Sequence, residues 1–122
     1  MPAAMQNIID LFAEAPKQDR LSYLLEYAES LPDLPPGLAD ARDGMEQVHE
    51  CQSPVFLHAE LEDGHVRYHI DVPREAPTVR GFASILHEGL NGATPEQIAA
   101  TPEDLYSRLK LNDVLSPLRL RG

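Results

Sequence analysis

Hydrophobic positions along this chain change period several times, and each change marks an element. Ile8, Ile9, Leu11 and Phe12 give a short amphipathic helix over 6–14, stopped near Pro16. Leu21, Leu24, Leu25, Ala28 and Leu31 continue at helical spacing over 17–31, with Tyr23 and Tyr27 one turn apart on an adjoining stripe. The stretch "LPDLPPGLADARDGMEQ" carries three prolines and two glycines and predicts a loop across the surface. Met45 and Val48 predict a short strand over 45–49.

Residues 55–72, "VFLHAELEDGHVRYHIDV", alternate between apolar and polar positions from Leu57 onward on either side of a turn. Asp63-Gly64 at their centre predicts a tight hairpin turn with Glu62 opposite His65. In that register Val55, Leu57, Ala59, Leu61, Val66, Tyr68, Ile70 and Val72 share one face, and His58, Glu60, Glu62, His65, Arg67 and His69 share the other. Val79, Phe82, Ile85, Leu86 and Leu90 then predict an amphipathic helix over 78–90. "TPEQ" at 94–97 and "TPED" at 101–104 each read as a Thr N-cap, a Pro at the first helical position and an acid in the first turn. The expected fold is α+β, a small three-stranded antiparallel sheet with helices packed on one face.

A chain of 122 residues fits one domain. At this length roughly two-thirds of the unfolded surface can be buried without a covalent staple. The chain is acidic, with 10 Lys+Arg against 20 Asp+Glu and a formal net charge of −10. It repels phosphates, so nucleic acid is a poor partner, whereas a basic protein surface would be attracted. No run approaches the ~18 apolar residues of a membrane span, and "MPAAMQNIIDLFAEA" does not read as a secretory signal. With one cysteine, no internal disulfide can form. The expected location is the cytoplasm.

The chemistry-bearing candidates are few. Cys51 sits in "VHECQSPV", between elements and among small polar residues. A lone cysteine is commonly just a small buried hydrophobe, but His49, Glu50, Gln52 and Ser53 around it do not call for burial. An unperturbed thiol is only a few per cent ionised near neutrality. Glu50 disfavours the thiolate and a protonated His49 favours it, which suits a thiol whose reactivity is completed by a partner. A papain-like Cys/His enzyme would need a substrate cleft that so short a chain has little room for. His58, His65 and His69 offer imidazoles on a sheet that could hold Zn²⁺, against the plainer reading of a solvated polar face. An iron–sulfur cluster typically takes four thiolates, which one cysteine cannot supply.

Several pieces together resemble the SufE family of cysteine desulfuration proteins. They are Cys51-Gln52-Ser53, the hydrophobic strand after it, "TVRGF" at 78–82, "TPEQI" at 94–98 and "LSPLR" at 115–119. The resemblance implies a single SufE-like domain over 1–122, of SufE/IscU-like fold, that lacks the family's C-terminal helix. It implies a protein that takes persulfide sulfur from a PLP-dependent cysteine desulfurase (SufS-like) onto Cys51. That sulfur would go on to an iron–sulfur scaffold complex (SufBCD-like). The protein would need no cofactor of its own, PLP belonging to the desulfurase, and would be a monomer or weak homodimer. Cys51 matches the family's acceptor. His49, Glu50, Gln52 and Ser53 form the partner-facing loop, and Arg119 matches an arginine that anchors it. The sequence departs from the family pattern at Glu50, where glycine is usual, and at Pro54 and Phe56. Two other expectations stay open. One is a regulator of the same fold that binds a desulfurase without carrying sulfur. The other is the histidine zinc protein.

Overall fold

The computed structural model describes residues 1–35, 46–48 and 55–111. In chain order these form α1 (Ala3–Glu14), α2 (Lys17–Ser30), β1 (Glu46–Val48), β2 (Val55–Glu62), β3 (His65–Asp71), α3 (Pro77–Leu90), α4 (Pro95–Ala99) and α5 (Leu105–Arg108). The strands make one antiparallel sheet in the order β1-β2-β3. The α+β expectation holds.

Pro16 separates the first two helices, and Arg20 secures the junction. Its Nε and Nη2 donate to the carbonyls of Phe12 and Ala15, each at 3.1 Å. These carbonyls lie at the end of α1, where that of Phe12 also accepts from the Ala15 N–H at 3.3 Å. Phe12 is fully buried, its ring centroid 6.0 Å from both Tyr23 and Tyr27. The tyrosine stripe of α2 therefore folds over the end of α1.

Both α1 and α2 pack on α3. The sequence pattern predicts Val79, Phe82, Ile85, Leu86 and Leu90 as the buried face of that helix. Ile85 and Leu90 are buried and Val79, Phe82 and Leu86 are partly buried against the core, but the other buried positions are Arg80, Gly81, Ala83, Ser84 and Gly89. Small residues win because the helices approach too closely for large ones. A methyl group on Gly81 would collide with the backbone carbonyl of Leu24, and one on Gly89 would come within 2.6 Å of the Met5 methyl. Gly81→Ala is expected to lose about 2–3 kcal/mol of stability even after the ~1 kcal/mol that alanine gains in helix propensity. Gly89→Ala is expected to cost less, about 1 kcal/mol, because its nearest obstruction is the flexible end of the Met5 side chain, with the Met5 Cα at 3.1 Å. Chemical denaturation measures both, and a Gly81→Ala protein as stable as the parent would refute the close-approach account.

The same narrow seam corrects the reading of α2. Leu24, Ala28 and Leu31 are buried, but Leu21 and Leu25 are 43% and 38% exposed. The seam is one side chain wide at Leu24, and the flanking leucines fall outside it.

The hairpin register is the expected one, with Glu62 opposite His65 and His58 opposite His69. Asp63 and Gly64 both take positive φ, 52° and 80°, the conformation of a type I′ turn. Burial along the apolar face is uneven, however. Val55, Ile70 and Val72 join Leu31 and Ala83 in a core at the base of the sheet, whereas Leu61 near the turn is 68% exposed. The helices cover the base of the hairpin and stop short of its tip. The outer edge of β3 is closed by the turn after α3. Val66 N–H donates to the Ala93 carbonyl and Gly92 N–H to the Val66 carbonyl, both at 2.7 Å, and Tyr68 N–H donates to Asn91 Oδ1 at 2.7 Å.

Thr94 caps α4 in a reciprocal box with Gln97, as "TPEQ" predicts. "TPED" does not repeat it. The Thr101 hydroxyl donates to the Gln97 carbonyl at 2.9 Å and so closes the preceding turn. Asp104 stands at the start of α5 instead, where its carboxylate accepts from Arg108 Nε at 2.9 Å. Leu105, Leu109 and Leu111 complete the helical core around Met5, Ile8, Phe12 and Ile85.

Candidate functional site

Cys51 lies on the connection between β1 and β2. The strands it joins are paired at its ends, with Val48 directly opposite Val55. His49, Glu50, Cys51, Gln52 and Ser53 belong to the intervening residues 49–54, and with Arg119 they lie outside the described residues. Covalent geometry still bounds the thiol. Cys51 is three residues from Val48, so its Cα cannot stand more than about 11 Å from the end of the sheet. The candidate site is therefore the base of the sheet, and its construction can be followed from the two anchoring residues inward.

Val55 is buried, in a cluster with Leu31, Ile70, Val72 and Ala83. These side chains come from the exit of α2, the two long strands and α3. Four chain segments thus converge beneath the root of the connection. Arg80 holds them. It is 6% exposed, and its guanidinium donates to three backbone carbonyls: Nε to Ala28 at 2.9 Å, Nη1 to Val72 at 2.7 Å and Nη2 to Leu31 at 3.4 Å. A planar fork spreads its donors over three nitrogens and so reaches carbonyls of separate segments, whereas the three donors of lysine sit on one nitrogen. Arg80 is a positioning residue that fixes the platform, and sequence reasoning reaches it only as a letter of "TVRGF". A signal was available. Arg80, Ala83 and Ser84 are spaced three and four apart on one helix face, and a cation on a face of small residues needs buried acceptors.

The polar face of the hairpin carries the histidines. The His58 and His69 rings stack with centroids 6.1 Å apart, and Glu60 lies 3.1 Å from His58 Nε2 and 3.7 Å from His69 Nε2. His65 is not part of this group; its Nδ1 sits 3.0 Å from the Asp63 carbonyl at the turn. Among the described residues no three His, Cys, Asp or Glu side chains are gathered as a metal ion requires. The three-histidine zinc reading fails on geometry, because the hairpin register puts His65 at the tip and the other pair farther down. His87, on α3, has its pKa lowered mainly by burial, while a hydrogen bond to the Tyr68 backbone works the other way. It stands apart from the thiol connection in sequence.

Among the described residues no helix is long and apolar enough to cross a membrane.

The family model of the SufE domain, described as an Fe-S metabolism associated domain, matches residues 6–122. An uncharacterized SufE-like protein of Mycobacterium tuberculosis is 50% identical over 123 residues, covering all of this chain and 85% of that protein. An uncharacterized SufE-like protein of Synechocystis is 32% identical over 124 residues, covering all of this chain and 74% of its own length. The solution structure of a hypothetical protein from Thermus thermophilus superposes with a TM-score of 0.86 at 44% identity, covering all of this chain and 86% of that one. The full-length match, the shared fold and the single cysteine between paired strands lead to one assignment: the chain belongs to the SufE family of domains associated with Fe-S metabolism.

Proposed function

We propose that this protein is a sulfur acceptor that serves iron–sulfur cluster assembly. It takes persulfide sulfur from a PLP-dependent cysteine desulfurase onto Cys51, stimulates that enzyme by clearing its product, and delivers the sulfur to a scaffold complex. One observation carries the reading. In a SufE-family chain the sole cysteine falls on a short connection tied at both ends to the base of the sheet.

The chemistry follows thiol–disulfide exchange. The Cys51 thiolate attacks the outer sulfur of the donor's persulfide. A new S–S bond forms on Cys51, the donor's own S–S bond breaks, and the donor cysteine leaves as a thiolate. One persulfide is lost and one gained, so no external oxidant or reductant is required. The acceptor needs a reachable thiol, a firm base for it and a surface that recognises the donor. Arg80 and the Val55 cluster supply the firm base.

Mass spectrometry tests this directly. After incubation with a desulfurase, PLP and cysteine, the intact protein is expected to gain about 32 Da per sulfur, reversible by a thiol reductant, with the added mass on the peptide that holds Cys51. An active desulfurase that leaves the mass of this protein unchanged would refute the reading.

A further inference from the structure

Helices α1 and α2 are joined at Pro16 and meet around Phe12, and both lean on α3. Away from that junction the space between them is open. Three cavities that share Ser30, Tyr27, Leu11 or Glu88 as lining lie side by side there as a groove. It runs from Pro32 past Ser30 and Tyr27 to Leu11 and Ala4, and Glu88 of α3 borders every part of it. Leu11, Tyr23 and Tyr27 give apolar surface, and Glu26 and Glu88 give carboxylates. Burial and the Glu88 carboxylate beside it push the Tyr27 phenol up to about 12, so Tyr27 stays protonated. Among the described residues no cationic side chain pairs with Glu26 or Glu88. Arg20, the nearby cation of α2, is committed to the carbonyls of α1.

We infer that this groove is a docking site for a helix of a protein partner that carries arginine or lysine on an otherwise apolar face. Charge complementarity selects the occupant. The groove holds two carboxylates beside aromatic rings, in a chain of net charge −10, and a desolvated cation gains from both features. Its shape selects the size. It is open and bounded by helices, which suits a helix laid between helices and would leave a small molecule largely exposed. The site needs no thiol, so it stands or falls independently of sulfur transfer on Cys51.

The probe is a synthetic helical peptide with leucines and arginines along one face, titrated into the full chain and followed by backbone amide resonances and by anisotropy. Saturable binding is expected, with the largest shifts at Leu11, Tyr27 and Glu88. Glu26→Gln with Glu88→Gln is expected to weaken binding about tenfold, whereas Glu60→Gln with Glu62→Gln, the same charge change on the hairpin, is expected to stay within about twofold. Spermine, a cation without an apolar face, is expected not to compete at equal concentration. Equal weakening by the two charge-matched pairs, shifts centred outside the groove, or full displacement by spermine would each overturn the inference.

Discussion

Cys51→Ser is expected to reduce sulfur loading to zero and to return desulfurase turnover to its rate without this protein. The reason is chemical. A serine hydroxyl is not ionised near neutrality, and the sulfur acceptor in the exchange step must be a thiolate. Circular dichroism establishes that the variant is folded, and mass spectrometry with a turnover assay reads the two effects. The assay also separates the carrier from the regulator of the same fold. Stimulation that survives Cys51→Ser would mean that docking alone activates the desulfurase, and the carrier role would fall.

Arg80→Leu is expected to cost about 4 kcal/mol, among the larger effects a single substitution in a domain of this size can have. Replacing a buried charge by a hydrophobe is often harmless when its partners can be replaced as well. Here the partners are the main-chain carbonyls of Ala28, Leu31 and Val72, which no mutation removes. Each orphaned carbonyl costs about 1–3 kcal/mol. Arg80→Lys is expected to fall between, because the three donors of an ammonium sit on one nitrogen. The thermal midpoint of the leucine variant should drop by about 10–15 °C. Sulfur uptake should slow in the protein that remains folded, as the base of the sheet loosens. A leucine variant within about 1 kcal/mol of the parent would mean that Arg80 does not hold the platform.

Features written in adjacent residues are legible in the amino-acid order itself. Asp63-Gly64 and the alternation around it give the hairpin and its register, and Thr94 with Gln97 gives the α4 cap. Features that depend on how closely elements approach are not. Hydrophobic spacing cannot show that α3 meets α2 through Gly81, nor that Leu21 and Leu25 flank a narrow seam instead of filling it. Thr101 misleads for a related reason: its hydroxyl has two local uses, and proximity to Gln97 decides between them. At the site, Cys51 comes forward through its uniqueness and its neighbours. Arg80 stays hidden because a cation in a helix is ordinarily a surface residue, and the three carbonyls that redefine it lie 8 to 52 positions away. His49, Glu50, Gln52, Ser53 and Arg119 fall outside the described residues, so their roles rest on the family resemblance and on the experiments proposed for Cys51.

The closed rim of β3 constrains how copies of this protein could associate. Its outward amide and carbonyl groups at Val66 and its amide at Tyr68 are already satisfied by Asn91, Gly92 and Ala93. An intruding strand would find these groups already bonded. Among the described residues the opposite rim is β1, whose last residue, Val48, leads into the Cys51 connection. Strand-to-strand pairing of two molecules is therefore not open to β3 between Val66 and Tyr68.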